Sequence, residues 1–254
     1  MTRARVIPVL LLDNQGLYKT MKFSDAKYIG DPLNAVKIFN EKQCDELIIL
    51  DISASKKRKK PNFSLIKEIA SECFMPLAYG GGIETLQDIE ITLKSGVEKV
   101  ILNTALIANP SFLKEASKAF ASSTLVASVD IRKNLLGKPL IHSHAGLKIK
   151  YADPLEFSKY IEDQGAGEIM INSIDRDGLM IGYDLDLIKK ISAAISIPLI
   201  AAGGCRDLAD IHMLFNLTNA SAAAAGSFFV FHGKHRAVLI SYPSPEEIDL
   251  IKVL

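Results

Sequence analysis

Two halves of this sequence repeat one another, and that repetition limits the possible folds more than any other feature. DELIILDI (residues 45–52) resembles GEIMINSI (residues 167–174), which puts Glu46 and Glu168 122 positions apart. The pair Gly81-Gly82 returns as Gly203-Gly204 at the same offset, and Asn103-Thr104 corresponds to Gly226-Ser227 at 123. A constant spacing near half of 254 residues means that one multi-element unit was duplicated, with halves at about 1–122 and 123–254. No linker-like or low-complexity stretch divides the chain, so a single domain over 1–254 is expected.

Each half carries four short apolar runs alternating with longer helical patterns. The runs predict strands at 6–12, 46–51, 76–80 and 99–103, then at 125–130, 168–172, 198–203 and 222–226. They are apolar almost throughout rather than alternating, as parallel strands buried on both faces must be. Helical segments such as 31–41, 62–72, 85–95, 154–164 and 184–194 lie between them. Eight such units predict an α/β fold, a closed (βα)8 or TIM barrel with a twofold internal half-barrel repeat. The length agrees with the roughly 250 residues typical of such barrels.

Composition removes several function classes. The chain has 30 Lys+Arg against 29 Asp+Glu, so it lacks the one-signed field of a nucleic-acid coat or a membrane-surface protein. Cys44, Cys73 and Cys205 are odd in number and widely spaced, which reads as reduced thiols in the cytosol. The start, MTRARVIPVLLL, imitates a signal peptide but lacks a small-residue cleavage site, and Asp13 and Asn14 end its apolar run. A cytoplasmic protein with neither nucleic-acid nor membrane partner is expected, and no cofactor is called for.

The strand-to-helix turns carry the first chemical signal. YGGGIET (residues 79–85) and AAGGCRD (residues 201–207) each end a strand on glycines and start a helix. Glycine lets a ligand approach the backbone, and free N–H groups at a helix start attract anions. A single such turn could merely end its strand tightly; the paired recurrence favours two opposed phosphate sites on one face, suited to a ligand phosphorylated at both ends. Acids form the second signal. Asp51, Asp130 and Asp175 follow apolar runs, with Asp177 just beyond. A carboxylate there can perform acid–base work, or simply cap a helix or brace a loop. Asp130 is the best candidate, and aligning VIPVLL with LVASVD makes Leu11 its repeat mate.

Two features carry less. The run KKRKK (residues 56–60) reads as a solvated loop that at most steers anions. His142 and His144 lie in a segment, 133–150, read as a hairpin, and with no third clustered ligand no metal site is expected.

Across nearly the whole chain, GDP (residues 30–32), DELIILDISAS, YGGGIETL, EKVILNTALIANP, INSIDRDGLMIGYD and IPLIAAGG resemble the cyclase (synthase) subunit family of imidazole glycerol phosphate synthase, the barrel of histidine biosynthesis. The resemblance implies a glutaminase partner docked on the N-terminal face as a heterodimer, and ammonia passing through the barrel to a phosphorylated substrate at the C-terminal face. It implies phosphate binding by Gly82, Asn103 and Thr104 in one half, and by Asp177, Gly178, Gly203, Gly204, Gly226 and Ser227 in the other. A ring of charges at the barrel bottom, the ammonia gate, is matched by Arg5, Glu46, Lys99 and Glu168.

The chain also departs from that family. Its members use two aspartates as acid and base; Asp130 matches one, and the other falls on Leu11, which can neither donate nor accept a proton. Asp13 lies two residues farther toward the loop, while Lys19, another family position, remains. The last helix is expected to be shorter or different. The pattern resembles a divergent branch found with surface-polysaccharide genes, in which barrel and glutaminase supply ammonia to a separate sugar amidotransferase that forms an acetamidino group. The alternative is an authentic cyclase/lyase making imidazole glycerol phosphate, with Asp130 acting alone or with Asp13.

Overall fold

A computed structural model describes residues 4–142 and 153–252. The chain opens with strand β1 (Arg5–Asp13) and a hairpin, β2 (Gly16–Met21) and β3 (Ser24–Gly30), before α1 (Pro32–Glu41). Then β4 (Leu47–Asp51), α2 (Phe63–Glu72), β5 (Leu77–Gly80), α3 (Leu86–Lys94) and β6 (Lys99–Leu102) alternate. Two short helices follow, α4 (Thr104–Ala108) and α5 (Phe112–Ala119), and lead to β7 (Leu125–Lys133), which pairs with β8 (Pro139–Ile141). The second half continues through α6 (Pro154–Asp163), β9 (Glu168–Ser173), α7 (Leu185–Ser192), β10 (Leu199–Ala202) and α8 (Leu208–Leu217). It ends with β11 (Ala222–Ala225), α9 (Ser227–Val230), the small pair β12 (Phe231–His232) and β13 (Ala237–Val238), and α10 (Pro245–Lys252).

Eight of these strands, β1, β4, β5, β6, β7, β9, β10 and β11, run parallel, and β11 pairs back onto β1 to close the barrel. Closure leaves no sheet edge among them. Two apolar clusters result, one inside the barrel and one between barrel and helices. Every second residue of β1 from Arg5 faces the lumen, so Ile7 and Val9 lie in the inner cluster and Leu11 above them lines a pocket at the strand ends.

Local chemistry explains where the units begin. In GDP, Gly30 turns with φ 149°, the Asp31 carboxylate caps the Asn34 amide at 2.9 Å, and Pro32 occupies the first turn of α1. Thr85 and Asp88 form a reciprocal capping box at α3. Of the hairpin expected over 133–150, the described part is β7–β8 turning through Asn134–Lys138, followed by His142; residues 143–150, with His144, lie outside the described residues. No described helix is long and apolar enough to cross a membrane.

Candidate functional site

At the N-terminal end of the barrel, four charges close a ring. Arg5 donates to Glu46 at 2.5 Å and to Glu168, and Lys99 reaches both glutamates at 3.0 Å. Each cation touches both anions. The glutamates are buried and the cations mostly so, which means that removing one member strands a buried charge, a loss of about 3–5 kcal/mol.

The opposite end opens into the pocket over the C-terminal strand ends. There the structure brings together Leu11, Lys19, Gly82, Asn103, Thr104, Asp130, Asp177, Gly178, Gly203, Gly204, Gly226 and Ser227. The ring residues are not part of it; the inner cluster separates them from this end, with the small side chains of Ala78, Ala202, Ala222 and Ala224 in that layer.

Asp130 is buried in the pocket wall, held between two amides. Asn103 Nδ2 donates to one carboxylate oxygen and Asn172 Nδ2 to the other, each at 3.2 Å. Asn103 also donates to the Ser128 carbonyl at 3.0 Å, so its amide is turned toward Asp130 and away from the solvent. Asn172 escaped sequence reasoning. It is the register partner of Asp130, and its repeat mate at offset 122 is Leu50, the register partner of Leu11. That comparison was the available signal.

The other acids divide by geometry. Asp51 spends one oxygen on Ser53 N, Ser53 Oγ and Ala54 N, the capping alternative. Asp175 braces the Lys133 amide at 2.7 Å. Asp13 pairs with Lys57 at 3.0 Å on the rim, outside the pocket lining.

Lys19 enters from the hairpin. Its amine is buried, donates to the Val9 carbonyl at 2.7 Å, and packs so closely on Gly226 that a methyl group there would overlap it. Burial pushes its pKa down to about 8, against the opposing pull of Asp177. Burial also raises the Asp177 carboxyl above its ordinary value, despite Lys19 and a 3.3 Å hydrogen bond from Thr20 Oγ1. Carboxyl and amine are thus moved toward each other in proton affinity. The backbone of Lys22 donates to the Asp177 carbonyl at 3.0 Å, which fixes the hairpin to the second half.

The glycine turns look alike but are loaded differently. Gly81, Gly82, Gly203 and Gly204 all have positive φ, and loop carbonyls crowd Gly82 and Gly204. Gly82 N–H donates to Ser55 Oγ at 3.3 Å. Ser55 and Lys56 both line the pocket; sequence reasoning does not single out Ser55, and reads Lys56 only as the first residue of the KKRKK run. Of the three thiols, Cys205 also lines it, but burial raises its pKa to about 12 and leaves it a poor nucleophile. Among the described residues no group of three or more His, Cys, Asp or Glu could hold a metal.

A family model described as "Histidine biosynthesis protein" matches residues 5–236. The chain is 50% identical over 250 residues to a Pseudomonas aeruginosa protein provisionally named imidazole glycerol phosphate synthase subunit hisF2, covering 98% of this chain and all of that one. A Vibrio vulnificus protein provisionally named subunit hisF3 is 49% identical over 248 residues, 97% and 95% of the two chains. The imidazole glycerol phosphate synthase subunit HisF of Saccharolobus solfataricus is 35% identical over 229 residues, 90% and 91% of the two chains.

Proposed function

The chain belongs to this histidine biosynthesis protein family as a HisF-like synthase subunit, and on that premise we propose that it delivers ammonia rather than closing an imidazole ring. A glutaminase docks on the end carrying Arg5, Glu46, Lys99 and Glu168. Ammonia passes the ring and moves along the lumen, whose alanine-rich layer favours a small neutral molecule. It leaves near the anion-binding turns for a separate sugar amidotransferase, which forms an acetamidino group in surface-polysaccharide biosynthesis.

One observation carries this reading: the first-half positions that match Asp130 and Asn172 in the pocket are Leu11 and Leu50, so no carboxylate stands at the repeat mate of Asp130. General acid–base catalysis contributes about 10²–10⁴-fold, and ring closure in this family uses two carboxylates. The test is direct. Given the histidine-pathway intermediate and ammonia, the unmodified protein should form almost no imidazole glycerol phosphate, while it should accelerate glutamine hydrolysis by its cognate glutaminase. Turnover at roughly 1 s⁻¹ or more, the ordinary range for enzymes, would overturn it.

A second reading, an authentic cyclase/lyase, is favoured by the Lys19–Asp177 pair. An amine with a pKa of about 8 beside a raised carboxyl is an alternative proton-transfer couple. Growth of a histidine auxotroph lacking the cyclase, restored by this chain and lost again in Lys19→Met, would establish it.

A further inference from the structure

The repeat assigns more of the first anion site than its glycines do. At the offset of 122, Ser55 and Lys56 correspond to Asp177 and Gly178 in the other half. The backbone follows the same correspondence: Arg58 and Met180, repeat mates in the two loops, both take positive φ, 51° and 56°. Each loop then folds over the next glycine turn. The Lys59 carbonyl crowds Gly82 and the Gly182 carbonyl crowds Gly204.

Within this shared backbone the side chains differ in charge. Ser55 Oγ accepts from Gly82 N–H at 3.3 Å, and a hydroxyl that accepts one hydrogen bond keeps its own proton to donate. An anion in this corner of the pocket therefore meets the serine hydroxyl in line with the glycine amide. Lys56 stands beside it. In the run KKRKK, Lys57 is paired with Asp13 at 3.0 Å and Lys60 with Asp88 at 2.9 Å. Lys56 is exposed, lines the pocket, and has no ion pair among the described residues. The second loop instead presents a carboxylate at Asp177 and no side chain at Gly178.

We infer that Ser55 and Lys56 bind the anion of the first site, the serine through its hydroxyl and the lysine through its charge, and that they make this site the one selective for a dianionic phosphate monoester. The assignment rests on the two-site reading of the pocket. A hydroxyl and a cation attract a dianion at the first site, whereas at the second the Asp177 carboxylate offsets the charge of Lys19, so the halves rank their ligands.

The test is a titration of the full chain with inorganic phosphate, followed by the amide resonances of Gly82 and Gly204. Gly82 should respond at lower phosphate than Gly204. Ser55→Ala should weaken the Gly82 response about tenfold or more, as losing a hydrogen bond to a charged group does. Ser55→Thr, which keeps the hydroxyl, should restore it. Lys56→Gln should weaken it about two- to fivefold and flatten its dependence on salt. The Gly204 midpoint should stay fixed in all three. If Ser55→Ala leaves Gly82 unchanged or binding tighter, the serine blocks the site and the inference fails alone. If neither glycine responds in the unmodified chain, the two-site reading fails and the inference with it.

Discussion

The two halves of the barrel share a backbone and differ in what they place at its upper rim. In the first half, the register partners Leu11 and Leu50 face the pocket; in the second, Asp130 and Asn172 hold the corresponding positions. Lower down the halves keep more in common, with Glu46 and Glu168 as repeat mates inside one charge ring. The contrast teaches that duplication fixed the scaffold while the chemistry at the strand ends drifted. A strand end can exchange a carboxylate for a leucine because it is bounded by pocket on one side, whereas an exchange deeper in the ring would strand a buried charge.

Erasing the difference between the walls should give the largest effect. Leu11→Asp combined with Leu50→Asn copies the second half's pair onto the first. Formation of imidazole glycerol phosphate should rise about 100-fold or more over the unmodified chain, in line with restoring one acid–base group. Adding Asp130→Asn should abolish the gain. A combined variant that folds, binds phosphate and still shows no gain would mean that the wall does not limit the reaction.

Next in size is the response of the glycine turns. Gly82 and Gly204 both have positive φ, but a Cβ at Gly204 would overlap the Gly182 carbonyl, whereas at Gly82 it meets the Ala54 side chain and the Lys59 carbonyl less tightly. Forcing a non-glycine residue into such a conformation costs about 1–3 kcal/mol. Thermal unfolding should place Gly204→Ala below Gly82→Ala in stability. The reverse order would show that the first loop, not the second, is the rigid one.

The smallest effect separates the halves by pH. Lys19 serves the second half, beside Gly226 and Asp177, with its pKa lowered to about 8. Below that value the amine is charged and attracts anions; above it the charge is lost. Between pH 7 and 9 phosphate affinity at the Gly204 turn should fall several-fold relative to Gly82, which lacks this lysine and should bind somewhat more tightly as phosphate itself becomes fully dianionic. The same shift has a stability consequence. Between about pH 8 and the ordinary lysine value near 10.5, the unfolded chain holds the proton more tightly than the folded one. Folding stability contributed by this residue therefore rises with pH across that window. A flat response at Gly204 that Lys19→Met does not alter would remove Lys19 from the site.

The barrel strands were legible because burial on both faces leaves a run with almost no polar residues, and every expected run became a strand of the barrel. The first hairpin was not. Residues 16–30 mix polar and apolar side chains without a long apolar run, and their turn depends on positive φ at Lys22 and Phe23, residue types that do not advertise such a conformation. Lys19 was thus named by resemblance, while its contact with Gly226 required the folded hairpin. The glycines could be read because their backbone conformation restricts residue type. Asn172 and Ser55 could not, since asparagine and serine are common at strand ends and in loops, and their roles come from partners 42 and 27 positions away.

The charge ring also bears on how the chain assembles. Arg5, Glu46 and Lys99 all lie in the half that leaves the ribosome first, two cations and one anion, and Glu168 arrives only with the second half. The pairing of Arg5 with Ala222 that closes the barrel joins its first strand to its last, a contact of high sequence separation and so among the slowest to form. The ring's own charges therefore balance only when Glu168 joins Arg5, Glu46 and Lys99. Each cation lacks one of its two partners until the second half is in place, so the full ring contributes to stability only in the closed barrel.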